Sequence, residues 1–259
     1  MNTNIRERQI IFAVPFYIWY NIYKYFSGRD NAMNILYINA CVRVNSRTAR
    51  LAAYYIERRG HKVKETALIS ERMTVMDEGR LNEREEALKK SDTENELLKF
   101  AAEFSRADEI IIAAPYWDLS FPSQLKTYIE NICVPGVTFD YTDDGFPRGL
   151  CRAKRLIYIT TAGGCGLPYD FGYGYIKALC GAYFGIDETR LICAEGLDIV
   201  GADEDAILEA ARRDIDGLIA DIEPLSKLML SHTPAFTKAF YHCSCHILIH
   251  KKTLLMDSD

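Results

Sequence analysis

After Asn34 the apolar positions fall into short runs separated by longer amphipathic stretches, the alternation expected of a parallel α/β sheet covered by helices. Five runs read as strands: Ile35 to Ile38, Lys62 to Leu68, Glu109 to Ala114, Arg155 to Thr161 and Arg190 to Ala194. The third and fourth, EIIIAA and RLIYIT, are almost continuously apolar, as strands buried on both faces must be. Between them, Leu51, Ala52, Tyr55 and Ile56 recur at helical spacing, with Gly60 placed to stop that helix. Leu97, Ala101 and Phe104 follow an acidic start at Ser91 to Glu94, a further helix spans Ser123 to Ile132, and Ile207, Ala211, Ile215 and Leu218 follow Asp203. The expected fold is a doubly wound five-stranded parallel sheet with helices on both faces.

Three segments break the pattern. Met73 to Lys90 is charged and helix-prone, and reads as a solvated excursion after the second strand. Ile10 to Phe26 is the most apolar stretch, but Pro15, Asn21 and Lys24 interrupt it before it reaches the roughly 20 apolar residues a span requires. It reads either as an apolar extension that docks or lies at an interface, or as translated leader ahead of a start at Met33. Pro224 is placed to end the last domain helix. The organisation expected is therefore an extension over residues 1–32, one domain over 33–225 and a tail over 226–259.

With 31 Lys and Arg against 36 Asp and Glu, the net charge of −5 removes the global attraction on which non-specific nucleic-acid binding depends. Hydrophobic residues at 49% exclude disorder as the main state. The eight cysteines are scattered through apolar segments, a usage that suits a reduced, cytoplasmic compartment rather than a disulfide scaffold. His61 is the one histidine in the body of the chain, which argues against His-based triads or metal sites there. His242, Cys243, Cys245 and His246 lie close together in the tail, but their spacing is tighter than that of structural zinc sites, and no metal is expected. GxSxG, HExxH, Walker A and GxGxxG patterns are absent.

In an open α/β sheet, ligands bind beyond the carboxyl ends of the strands where strand order reverses. The loop after the first strand, NACVRVNSRT, enters a helix start carrying Arg43, Asn45, Ser46, Arg47 and Thr48, which suits a phosphate monoester and equally suits simple N-capping. The loop after the third, Pro115-Tyr116-Trp117-Asp118-Leu119-Ser120-Phe121-Pro122, sets three aromatics between two prolines: a platform for a flat ring, or satellites of the core. The loop after the fourth, Thr161-Ala162-Gly163-Gly164, lets backbone N–H groups approach a ligand edge. Together the three describe a mononucleotide site for a large planar base, with flavin mononucleotide (FMN) the obvious occupant.

On the motifs NACVRVNSRT, APYWDLSFPSQLKTYIENI, GVTFDYTDDGFPRGL and ITTAGGCG, the chain resembles the flavodoxin-like NAD(P)H:quinone oxidoreductases and FMN-dependent azoreductases, over roughly residues 34–225. The resemblance implies that Asn39, Ser46, Arg47 and Thr48 surround the FMN phosphate and ribityl chain. It sets Pro115, Tyr116, Trp117, Asp118 and Leu119 along the ring, and Thr161, Ala162, Gly163 and Gly164 at its pyrimidine edge. It implies that Phe139 and Tyr141, in a hairpin suited to a lid or dimer contact, lie near the substrate face of a homodimer. NADH or NADPH would be the reductant and a quinone, azo or similar small molecule the acceptor, with the flavin rather than a side chain carrying the chemistry. Two residues depart from the family: Asp118 stands where Asn is common, and Ala162 where some azoreductases have Arg. An electron-carrier flavodoxin, or a flavin-free binding module on the same fold, are the rival readings.

Overall fold

The structure, a computed structural model, describes residues 33–222 except 72, 91, 93 and 94. Five parallel strands form the central sheet: β1 (Ile35–Asn39), β2 (Val63–Ala67), β3 (Glu109–Ala113), β6 (Arg155–Thr161) and β7 (Glu188–Ala194). Their order across the sheet is β2-β1-β3-β6-β7, so the winding reverses between β1 and β3. The five expected strands are all present, and the last begins two residues earlier than its apolar core suggests.

Alternate residues of the strands feed two separate cores, which is why the central runs are apolar throughout. Ile35, Tyr37, Ile111, Ile157 and Ile159 face α1 (Arg47–Arg59) and α6 (Glu204–Ile222), meeting Leu51, Tyr55, Leu208, Ile215 and Leu218. Leu36, Ile38, Ile110, Ile112 and Tyr158 face the other way, toward α3 (Lys99–Arg106), α4 (Ser123–Ile132) and α5 (Tyr175–Leu179). The turns flanking α5, Asp170–Gly174 and Cys180–Phe184, are π-helical, and no periodicity in the sequence announces this element.

The ends of α1 are set by local chemistry. The Ser46 hydroxyl accepts from the Ala49 N–H, and Gly60, at φ +61°, takes the left-handed conformation that stops the helix while its N–H donates to Ile56. At α6 the Asp203 carboxylate accepts from the Ala206 N–H, as expected of a cap.

The third helix differs from expectation. It begins at Lys99 rather than near Ser91 to Glu94; residues 91, 93 and 94 lie outside the described residues, and Asn95 accounts for the late start. Its side chain accepts from the Leu97 N–H and its carbonyl from the Leu98 N–H, a local turn that competes with helix. The charged excursion forms α2 (Glu78–Lys89), capped by Asp77 and anchored through buried Ala87, which packs with Leu98, Ala101 and Val134. A separate antiparallel hairpin pairs β4 (Phe139–Tyr141) with β5 (Pro147–Gly149).

At the amino ends of the strands, Glu109 is buried with Arg59, whose Nη2 lies 2.9 Å from the carboxylate. Tyr55 donates to the same carboxylate at 2.9 Å, and Arg155 approaches at 3.6 Å. The apolar extension, the Met33 start, the helix end at Pro224 and the His242 to His246 cluster involve residues outside those described. Among the described residues no helix is long and apolar enough to cross a membrane, and no cluster of metal-ligating side chains occurs.

Candidate cofactor cleft

A cleft of about 210 Å³ opens at the carboxyl edge of the sheet, beside the reversal between β1 and β3. It is lined by Val42, Arg43, Asn45, Ser46, Arg47 and Thr48 after β1, by Pro115, Tyr116 and Trp117 after β3, by Thr161, Ala162 and Gly163 at the end of β6, and by Asp198 after β7. The three loops singled out in the sequence thus converge on one volume.

The phosphate-suited side is the start of α1. The first N–H groups of a helix have no acceptor within the helix and carry the positive end of its dipole, so this wall favours an anion. Thr48 Oγ1 and Thr161 Oγ1 share a buried hydrogen bond at 2.6 Å, which fixes the helix start to the end of β6. Arg47 is held from three sides: Nη2 is 2.7 Å from Asp198 Oδ1, and Nη1 donates to the Leu197 carbonyl at 3.1 Å and to Glu204 Oε2 at 3.5 Å. Asn39 sits behind the wall. Its Oδ1 accepts from the Cys41 N–H and its Nδ2 donates to Glu65, so it shapes the loop and does not line the cleft.

The aromatic side is a tight turn. Trp117 and Ser120 exchange two backbone hydrogen bonds, leaving Asp118 and Leu119 at the tip with φ of +50° and +65°. Such two-residue turns favour Asn-Gly, and a leucine there is sterically costly. Asp118 and Leu119 are exposed and are not among the lining residues, while Trp117 stays at the cleft, 39% exposed. Asp118 thus stands one residue beyond the lining, at the tip of the turn. Tyr116 holds the platform down: its hydroxyl donates to the Pro168 carbonyl at 2.8 Å and its N–H to the Thr161 carbonyl at 3.0 Å.

The glycine side is bound to the loop after β7. Gly196 donates to the Gly164 carbonyl, Leu197 to Ala162 and Asp198 to Gly163. A Cβ on Gly163 would clash with Asp198 Oδ2, so only glycine allows that carboxylate to lie against this strand end. Gly164 is one residue beyond the lining. Farther out, Tyr169 donates to Glu195 Oε1 at 2.6 Å and Gly166 N–H donates to Oε2 at 3.0 Å. These contacts hold the Glu195 carboxyl below its ordinary range, the tyrosine bond contributing most, and burial with the same bond pushes the Tyr169 hydroxyl up.

Phe139 and Tyr141 stand apart from the cleft. Phe139 is buried, its ring 4.6 Å from Tyr183, while Tyr141 is half exposed on the hairpin. Asp198, which lines the cleft, and the Glu195–Tyr169 pair farther out are the residues that sequence reasoning missed. The rule that took the loops after strands one, three and four would have found Glu195 and Asp198 if applied to the fifth.

Comparison with known proteins agrees with the architecture. A family model described as flavodoxin-like fold matches residues 33–219. The chain belongs to the flavodoxin-like family. Within that family it is 36% identical over 187 residues to an FMN-dependent NADH:quinone oxidoreductase of Clostridium acetobutylicum, covering 67% of this chain and 92% of the relative. A second FMN-dependent NADH:quinone oxidoreductase, from Lachnoclostridium phytofermentans, is 33% identical over 198 residues, covering 72% and 97%. Among solved flavodoxin-like structures, an azoreductase of Bacillus anthracis superposes with a TM-score of 0.62 at 23% identity, covering 72% of this chain and 98% of its own. An FMN-dependent NADH-azoreductase from the same species, solved with FMN, gives 0.62 at 20% identity, covering 74% and 100%.

Proposed function

We propose that this protein is an FMN-dependent NAD(P)H oxidoreductase that passes a hydride from reduced nicotinamide to a quinone, azo or similar small acceptor. The observation that carries the reading is the meeting, in one cleft, of a cationic helix start, an aromatic platform and a backbone-lined strand end. Relatives at 36% and 33% identity, aligned over nearly their whole length, bear the corresponding activity in their names.

The donor set fits FMN. A dianionic phosphate would be held by the first turn of α1 with Ser46, Arg47 and Thr48, and by Arg43 and Asn45 at the rim. Pro115, Tyr116 and Trp117 would carry the ring, and the Thr161 to Gly164 backbone would meet its polar edge, with N–H groups suited to negative charge developing there. Asn39 acts by shaping the phosphate loop, and Asp118 and Leu119 by forming the turn that presents Trp117. Bound flavin supplies the two-electron chemistry. The protein's own share is orientation, exclusion of water and fixed dipoles, which agrees with a cleft that, among the described residues, no histidine lines.

The unit of function is the single domain over residues 33–225, and the working form is a cytoplasmic homodimer. In support of the dimer, the hairpin exposes Tyr141 and Phe146, with Leu150 just beyond it, apolar surface that a second copy would cover, with Phe139 and Tyr141 bordering the acceptor site. In support of a reducing compartment, Cys41, Cys133, Cys151, Cys165, Cys180 and Cys193 are all free thiols.

The test is the visible spectrum of the purified protein with and without added FMN, followed by NADH or NADPH under anaerobic conditions. Bound flavin bleached by either nicotinamide supports the assignment. Flavin that neither bleaches points to an electron carrier, and failure to bind FMN overturns the site.

A further inference from the structure

The wall expected to receive a phosphate already holds an anion. Asp198 lines the cleft, its Oδ1 lies 2.7 Å from Arg47 Nη2, and its Oδ2 lies where a side chain on Gly163 would stand. The pair thus reaches from the first turn of α1 to the end of β6, across the mouth of the phosphate wall. Its partners are unequally placed: the Asp198 side chain is 68% exposed and that of Arg47 only 23%. Arg47 is further fixed by Glu204 and the Leu197 carbonyl, whereas the carboxylate has solvent on its open side.

We infer that Asp198 is a built-in competitor for Arg47, an internal carboxylate that a phosphate monoester must displace, and that it thereby sets the affinity for the phosphorylated cofactor. This rests on the FMN reading and deepens it. With its carboxylate largely exposed, the pair is weakened by solvent and screened by salt, so it yields readily. A phosphate dianion offers Arg47 a stronger two-point partner, and the dipole of α1 adds to that preference. Glu204 and Leu197 keep the guanidinium in place once the aspartate has swung away, so the exchange disorders nothing else. The expected behaviour is a site that takes phosphate-bearing flavin in preference to other anions yet holds it less tightly than its cationic wall alone would.

The test compares the full chain with Asp198→Asn, which keeps the size of the side chain and removes its charge. Binding of FMN, of riboflavin, which lacks the phosphate, and of inorganic phosphate is measured at low and high salt by flavin fluorescence and phosphorus NMR. FMN and inorganic phosphate are expected to bind the variant about threefold to tenfold more tightly, with riboflavin unchanged and the gain shrinking as salt rises. Equal tightening of FMN and riboflavin would make Asp198 a steric lid and overturn charge competition. Weaker FMN and phosphate binding would make it a residue that positions Arg47, and would overturn the proposal equally. If neither protein binds FMN while the variant still gains phosphate affinity, the flavin reading fails and the competition stands; no gain in phosphate affinity sinks the competition whatever the flavin does.

Discussion

The hydroxyls of Thr48 and Thr161 meet at 2.6 Å in a buried position, tying the first turn of the first helix to the last residue of β6. Each is the other's hydrogen-bond partner, so removing one strands the other. Thr161→Val is expected to destabilise the flavin-free protein by about 1–3 kcal/mol, with Thr48→Val in the same background costing little more. Urea unfolding of the two single variants and the double variant checks this, and additive losses would refute the coupling.

Trp117 stands at the aromatic wall, partly exposed. Trp117→Ala is expected to weaken FMN retention by about threefold to tenfold, the worth of one aromatic stacking partner. Unchanged flavin stoichiometry and dissociation constant in the purified variant would refute it.

Leu119 holds a positive φ for which glycine is suited, and its side chain is half exposed. Leu119→Gly should raise stability by about 1 kcal/mol by relieving the left-handed conformation, partly offset by the greater freedom of glycine when unfolded. A higher thermal midpoint is the expected result. A lower one would mean that the leucine packs at the cleft rim strongly enough to outweigh its backbone cost.

Glu195 is held below its ordinary carboxylate range by the Tyr169 hydroxyl first and by the Gly166 N–H. A carboxyl depressed in the folded state contributes stability above its unfolded value and loses it as pH falls through the folded one. Tyr169→Phe should therefore cost about 1 kcal/mol near pH 7, and that difference should shrink as the pH falls below the ordinary carboxylate range. Thermal melts of both proteins across that window decide it; a difference independent of pH would show that the bond acts without the charge.

Glu109 is buried with Arg59 at the end of β3 remote from the cleft. Glu109→Ala leaves the buried guanidinium without this carboxylate and is expected to cost about 3–5 kcal/mol. Because Pro115 to Trp117 lie past the other end of that strand, FMN affinity of the folded variant should be unchanged. Loss of affinity without loss of stability would contradict the separation of the two ends.

The fold was legible because its determinants are local. The isoleucine run of β3 serves two cores at once, Gly60 ends the first helix, and Asp203 caps the last. Asn95 was not legible as a breaker, since a side chain that accepts from an N–H two residues on looks, in sequence, like any cap. Most of the cleft followed from the rule of strand ends. What escaped was reach across the chain: Arg47 looks like a free cation in NSRT, and its aspartate lies 151 residues away. The positive φ of Asp118 and Leu119, which sets them at the tip of the turn, is one that Asp-Leu does not advertise.

That long reach bears on how the protein is made. The cleft draws on residues 42 to 198, and its final wall is the loop after the last strand, so, on the proposed assignment of this cleft to FMN, a chain emerging from the ribosome has nowhere complete to seat a flavin until that strand has been synthesised and docked. The cofactor cannot template the early β1–α1–β2 unit. It can only reward a finished sheet, and the appearance of bound flavin would therefore serve as a clock for the last step of folding rather than the first.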